Sequence, residues 1–330
     1  MSGETLAWVV GRGGLLGSHV GRVLAAEESG LREWRCPAPR FPWGDPATLG
    51  DEIGRAAAAF AREVRGRGCR WAVLWCAGVG TVGAPPGSLM AEMLAWESLL
   101  AALRPLRDRT GSVFLASSAG GVYGMAEESP LTESSTPRPA SAYGAHKLRM
   151  EGSLRGWARA ASGASCLVGR ISNLYGPGQD PARPRGLIAR ISRSIILHEP
   201  LNIFVSLDTI RDFLYAEDCA RSIVLSMAHL LNGGRTPCDP RLVTKIFASG
   251  KATTARALLG LFFRLTRHRP IVTTVPSPGR AEHPERLCFR STVWPHLDRV
   301  SRTELPEGIG RVHQHLLAMF RGGRLRSIGA

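Results

Sequence analysis

Tyr143 and Lys147 stand four residues apart in the run Tyr143-Gly144-Ala145-His146-Lys147. On a helix this spacing sets the phenol and the ammonium on one face. A neighbouring positive charge favours phenolate and draws a tyrosine down from its ordinary pKa of about 10. Such a phenol can exchange a proton with a hydroxyl or a ketone. With only four tyrosines and three lysines in 330 residues, the pattern is a poor candidate for coincidence. Ser118 lies 25 positions earlier, just past the apolar run Ser112–Ala116, in Ser117-Ser118-Ala119-Gly120-Gly121. A serine at the end of a neighbouring strand can hydrogen-bond the same substrate oxygen. Ser118, Tyr143 and Lys147 are therefore the candidate catalytic set, suited to the proton half of an oxidation or reduction. His146 falls on another helix face and reads as a bystander.

The hydride half needs a carrier. Gly11-Arg12-Gly13-Gly14-Leu15-Leu16-Gly17 follows a strand-like run and opens a helical pattern, with Gly11, Gly14 and Gly17 in a G-x-x-G-x-x-G spacing. The turn needs a residue tolerant of positive φ, the backbone must approach a pyrophosphate, and the helix must pack close to its strand. The helix N-terminus then offers free N–H groups to the phosphates. The implied cofactor is NAD(P), held by Gly11, Arg12, Gly14, Leu15, Leu16 and Gly17. Tyr143 and Lys147 are also candidate contacts to it. No acidic residue for the adenosine ribose is evident about 20 positions past the loop. Arg12, Arg35 and Arg40 are available instead to hold a 2′-phosphate, which favours NADP(H) over NAD.

The elements that must position these residues alternate. Strands are expected at Thr5–Val10, Trp71–Ala77, Ser112–Ala116 and Cys166–Gly169. Helices are expected at Leu15–Glu27, Ala47–Val64, Leu89–Leu106 and Ala142–Ala160. That alternation predicts an α/β fold, a Rossmann-type doubly wound parallel sheet. Leu31–Pro46 has room for one short strand and a loop. Beyond Gly176 the regularity fades, although helices fit Leu187–Leu197, Glu217–Leu231, Thr254–Thr266 and Glu307–Phe320. Residues 1–175 read as the dinucleotide-binding part with the catalytic set. Residues 176–330 read as a smaller C-terminal substrate-binding region, the chain interleaving between the two and ending in a frayed Arg321–Ala330 tail.

Composition narrows the partners. Hydrophobic residues make up 44% of the chain and charged residues 21%, enough apolar surface for a full core. The net charge of +15 comes from 42 basic residues of which only three are lysines. The arginines are spread along the whole chain, a codon-composition signature rather than a nucleic-acid stripe. Their field favours an anionic small molecule. Seven scattered cysteines without a C-x-x-C pair exclude a disulfide framework and a zinc site, and no metal is expected. No apolar run reaches the roughly 18 residues of a membrane span. The N-terminus runs directly into a strand, so the expected location is cytoplasmic.

Two later segments complete a pattern. Arg170-Ile171-Ser172-Asn173-Leu174-Tyr175-Gly176-Pro177-Gly178-Gln179 matches R-x-x-N-x-Y-G-P-G, and Arg211-Asp212-Phe213-Leu214-Tyr215-Ala216-Glu217-Asp218 matches R-D-F-I-H-V-x-D. With the glycine loop, Ser118 and Tyr143/Lys147, the chain resembles the extended short-chain dehydrogenase/reductases, the NAD-dependent epimerase/dehydratase family that acts on nucleotide sugars. The resemblance runs from residue 9 to residue 218. It implies that Asn173 contacts the nucleotide sugar, that Arg211 binds its diphosphate, that Ala77 and Gly78 approach the cofactor with their backbone, and that Tyr175-Gly176-Pro177 is a turn on the cofactor side. It also implies a homodimer through the helices around Leu89–Leu106 and Ala142–Ala160.

The family's 4,6-dehydratases carry Thr-Asp-Glu after the catalytic strand, its decarboxylases a Glu, and its 3,5-epimerising reductases a Cys there with a later His. Ser118-Ala119-Gly120-Gly121 and Gly178 supply none of these. What remains needs only Ser, Tyr, Lys and a nicotinamide. A 4-epimerase working through a 4-keto sugar is favoured, with an NADPH-dependent 4-ketoreductase as the alternative. A catalytically silent NADP(H)-binding sensor or scaffold is the reading of another class.

Overall fold

The structure is a computed structural model and describes residues 4–26, 30–37, 40–78, 83–180, 186–234, 241–274, 284–299 and 302–325. Its centre is a six-stranded, wholly parallel sheet of β1 (Thr5–Val10), β2 (Leu31–Glu33), β3 (Arg70–Trp75), β4 (Gly111–Ser118), β5 (Ala164–Ile171) and β9 (Leu242–Phe247), in the order β2-β1-β3-β4-β5-β9. β1, β3 and β5 are nearly continuous apolar runs because helices cover both faces.

One face carries α2 (Pro46–Arg67), α3 (Pro86–Ala102) and α5 (Ala142–Arg159), packed around Trp8, Trp71, Trp75, Trp96 and Trp157. α2 starts sharply because the Asp45 carboxylate accepts from the Ala47 N–H at 3.0 Å and Pro46 opens the first turn. It stops at Gly68, whose φ of 62° is left-handed. The other face carries α1 (Leu15–Ala26) and α7 (Ala216–Leu231) over a core that includes Val20, Phe114, Ile223 and Phe247.

The second half of the chain is richer in strands than its sequence led us to expect. β6 (Asn173–Tyr175), β8 (Ile210–Tyr215) and β10 (Ala252–Thr254) form a small sheet, and β7 (Leu201–Ile203) pairs with β11 (Val272–Thr274). Around these pack α6 (Leu187–Leu197), α8 (Ala255–Thr266) and α9 (Leu305–Arg321), closed on Ile191, Leu258, Phe262 and Ile309. β9 and α7 return from residues beyond 176 to complete the large sheet and cover it. The predicted helices of the second half are present to within about two residues at their ends. The last five residues of the expected frayed tail lie outside the described residues.

Candidate functional site

The order of strands reverses between β1 and β3, and a crevice opens at such a switch point beyond the strands' carboxyl ends. The glycine loop leaves β1 there. Gly11 has a φ of +85°, and a Cβ on it would lie 2.7 Å from both the Cα and the N of Ala77, just past β3. A Cβ on Gly17 would collide with the Gly11 carbonyl, so α1 can approach the loop only with glycine there. Gly14 N–H donates to the Gly11 carbonyl at 2.9 Å and tightens the turn. In front of the loop a Cβ on Gly13 would meet nothing within 4 Å. The loop is thus close-packed behind and open before the N-terminus of α1, a shape that fits a dinucleotide pyrophosphate. Leu16 is buried beneath and Leu15 half-buried, so each can offer mainly its backbone. Ala77 is buried and Gly78 exposed. Burial pushes the thiol of the preceding Cys76 up, which keeps it protonated and unreactive.

Arg12 is exposed on the loop, and its Nε donates to Glu33 Oε1 at 2.7 Å. Glu33 ends β2 and lies 22 positions after Gly11. The acidic residue not evident in the sequence is therefore present, at the strand end where a ribose hydroxyl is normally read. A strand of only three residues, embedded among arginines, conceals it in the sequence. Arg35 and Arg40 are exposed in the segment after β2.

Ser118, Tyr143 and Lys147 converge. Ser118 ends β4 and caps the single turn α4 (Ala119–Val122), its Oγ accepting from Gly121 N–H at 3.1 Å. The hydroxyl proton stays available for a substrate oxygen. Ser141 caps α5 in turn, accepting from Gly144 N–H at 3.3 Å. A Cβ on Gly144 would strike the Gly121 carbonyl, so only glycine lets the two helix starts meet. Tyr143 is thereby laid over Gly121. A Cβ built on Gly121 would sit 3.0 Å from Tyr143 Cε1 and 3.3 Å from Ser118 Oγ. Lys147 lies one turn on, its Nζ 5.9 Å from the centre of the Tyr143 ring.

Lys147 has a partner that sequence reasoning missed. Its Nζ donates to Glu92 Oε1 at 2.7 Å, with both side chains buried. Burial alone would raise the Glu92 carboxyl, but the Lys147 ammonium and the His146 ring together outweigh it and hold the group down to about 2. Burial likewise opposes the Lys147 charge, yet Glu92 and Tyr143 raise its pKa above the usual lysine value. His146 is fully buried in the same cluster, its Nε2 3.7 Å from Glu92 Oε2. A Cβ on Gly78 would lie 3.6 Å from both Glu92 Oε1 and Lys147 Nζ, so the pair floors the crevice beside β3.

A second buried network fixes α5 to the sheet. Glu151 accepts from Ser117 Oγ at 2.6 Å and from Arg170 Nε and Nη2 at 3.2 and 2.7 Å. Arg170 also donates to the Tyr123 hydroxyl, which in turn donates to the Thr132 carbonyl at 3.0 Å. Of two adjacent serines, Ser117 is thus committed to structure while Ser118 faces the crevice.

Asn173 comes two residues after Ile171, the register partner of Ser118 in β5, and so lies just past the ends of β4 and β5. It is exposed, and its Nδ2 donates to the Asp212 carbonyl at 2.9 Å. Arg211 precedes Asp212 on β8. Its Nη1 donates to the Ile210 carbonyl at 2.8 Å, and burial draws its pKa down to about 10. Leu287 links the two regions: its N–H donates to the Ile210 carbonyl at 3.1 Å, and its methyl would lie 3.5 Å from a Cβ on Gly120. The turn Tyr175-Gly176-Pro177 leans on α1, the Pro177 carbonyl lying 3.1 Å from His19 Nε2.

Among the described residues no helix is long and apolar enough to cross a membrane. Over 117 residues the chain is 32% identical to the dTDP-4-dehydro-6-deoxyglucose reductase of Escherichia coli, a match spanning 36% of each chain. In structure it resembles the UDP-glucose 4-epimerase of Thermus thermophilus complexed with NAD, at a TM-score of 0.74 and 23% identity over 96% of this chain and 99% of that one. It also resembles RMD from Pseudomonas aeruginosa complexed with NADPH, at 0.71 and 22% over 95% and 99%. These distant structural likenesses speak for the fold, and the match to the reductase covers about a third of that protein. Residues 7–236, over two-thirds of the sequence, match the model of one family. With its glycine crevice, its parallel sheet and that match, the chain belongs to the NAD dependent epimerase/dehydratase family.

Proposed function

We propose that the protein is an NAD(P)-dependent nucleotide-sugar epimerase acting at C4 through a 4-keto sugar, with Tyr143 as acid and base. The observation that carries this reading is the convergence of Tyr143 and Ser118 on one point beside Gly121, with Lys147 one turn away. When bound, the nicotinamide accepts and returns the hydride. Tyr143 takes the proton of the 4-hydroxyl as C4 is oxidised and gives it back after the keto sugar has turned over in the site. Ser118 donates its hydroxyl proton to the same oxygen, and the Lys147 ammonium stands 5.9 Å from the centre of the Tyr143 ring. Asn173 holds the sugar nucleotide, and Arg211 meets its diphosphate with a half-buried guanidinium that fits an anion. Gly11, Gly14 and Gly17 cradle the cofactor's pyrophosphate, and Arg12 and Glu33 face its adenosine ribose. The reading includes a homodimer across α3 and α5, supported by Met90 and Leu94, both largely exposed on α3.

A second reading, an NADPH-dependent 4-keto-sugar reductase, is supported by Arg12, which released from Glu33 would suit a 2′-phosphate. One experiment separates the readings. Protein is denatured and any released dinucleotide identified by mass spectrometry, and UDP-glucose turnover is followed for wild type and Tyr143→Phe. Retained NAD and production of the C4 epimer, lost by about two to four orders of magnitude in Tyr143→Phe, support epimerisation. Tighter titration by NADPH than NADH, without retained cofactor, moves the assignment to the reductase. An unchanged rate in Tyr143→Phe overturns both, and dinucleotide binding without turnover of any nucleotide sugar leaves the sensor.

A further inference from the structure

Lys147 is only 3% exposed and Glu92 not at all. A buried ammonium loses its hydration and, left alone, sheds its proton. Every group facing it bears on that balance. From α3 comes Glu92 at 2.7 Å. α5 itself brings Tyr143, His146 and the Met150 sulfur at 3.8 Å. Glu151 lies beyond, already bound to Arg170 of β5 and Ser117 of β4. Past the end of β3, Gly78 lies alongside, a Cβ on it falling 3.6 Å from Lys147 Nζ. Glu92 is thus the one carboxylate in direct contact with the ammonium among the described residues. It engages one of the three N–H groups and Met150 weakly engages another, leaving the third for the crevice.

We infer that Glu92 is a positioning residue, which keeps Lys147 protonated and aims its ammonium at the Gly78 edge of the crevice. The inference rests on the reading of Tyr143 and Lys147 as the proton-transfer pair. The charge beside Tyr143 is then set by a carboxylate on a different helix.

The chain's three lysines make the test direct. Carbon-13 resonances of the lysine ε-methylenes are titrated with pH in the full-length wild type, Glu92→Gln and Glu92→Asp, with Lys147→Met assigning the signal. In Glu92→Gln the Lys147 midpoint falls by about one pH unit or more, while Lys251 stays where it was. Glu92→Asp, which keeps the charge but draws it back by a methylene, gives a smaller fall. A midpoint that stays put in folded Glu92→Gln overturns the inference. If that variant does not fold, an unmoved midpoint in Glu92→Asp does so. The readout needs neither substrate nor cofactor. An inactive Tyr143→Phe with an unmoved Lys147 sinks this inference alone. A shifted Lys147 with a fully active Tyr143→Phe supports the Glu92 assignment and sinks the proposed function.

Discussion

Arg211 and Asp212 are neighbours on β8 that do not pair with each other. The fully buried Asp212 carboxylate accepts from Ser172 Oγ at 2.7 Å, Ser249 N–H and Oγ at 2.9 Å each, and Gly250 N–H at 2.8 Å. The Arg211 guanidinium turns the other way and has no carboxylate partner among the described residues. One residue is a structural knot and the other a cation still open to an anion.

Different consequences follow for the two. Arg211→Gln should weaken UDP binding by about 10- to 100-fold, the loss of a charge-assisted hydrogen bond, while leaving thermal stability unchanged or higher. Asp212→Ala strands four donors and should cost about 3–5 kcal/mol of stability. Calorimetric titration with UDP and urea denaturation check the two halves. Normal UDP affinity in Arg211→Gln removes Arg211 from the substrate site.

In the proposed function the Arg12–Glu33 pair faces the adenosine ribose with opposite preferences. Glu33→Gln removes the negative charge that holds the guanidinium and repels a 2′-phosphate, and leaves only a weaker, neutral acceptor for a 2′-hydroxyl, so NADPH affinity should rise relative to NADH by about tenfold. Arg12→Ala should move the ratio the other way. Quenching of tryptophan fluorescence by each nucleotide measures both. Identical ratios in the two variants would place the pair away from the ribose.

The buried Glu92–Lys147 pair gives stability a defined pH dependence. Glu92 is depressed from 4.5 to about 2, so its contribution is full above pH 4.5 and is lost as pH falls towards 2. Lys147 is raised above 10.5, so its contribution is full below that pH and fades as pH climbs through the higher folded value. Denaturant midpoints for wild type should therefore drop in acid more steeply than those for Glu92→Gln. Parallel acid profiles would contradict this.

Gly11 is constrained twice, by its left-handed backbone and by Ala77 2.7 Å from where a Cβ would sit. Gly11→Ala should lose about 1–3 kcal/mol of stability and most dinucleotide affinity. Gly13→Ala, with open space around it, should keep its stability and show a smaller loss. Thermal melts with and without NAD compare the two variants.

The arrangement of the crevice was legible because it is carried by contiguous motifs. Ser118, Tyr143, Lys147 and the three glycines stand in local spacings that a strand end or a helix start converts directly into geometry. Glu92 was hidden because its partner is 55 residues away and nothing near it on an apolar helix announces a charge. Glu33 was hidden by the brevity of β2. The strands of the second half are short or interrupted. Lys245, in the middle of β9, is buried only because Ser291, Val293 and Asp298, far along the chain, receive its ammonium. Helices of that half needed no such distant support, and their periodicity could be read at once.

The placement of β9 also governs the order in which the protein can mature on the ribosome. β5 is buried along its whole length, and its outer edge is closed by a strand that emerges about seventy residues after β5 ends. A chain released after residue 175 would leave that edge and the α7-covered face of the sheet bare, an invitation to intermolecular pairing. Exchange of substrate regions between relatives must accordingly carry β9 and α7 along. The dinucleotide half is not a detachable module, and a nascent chain cannot close its cofactor-binding sheet until residue 247 has left the exit tunnel.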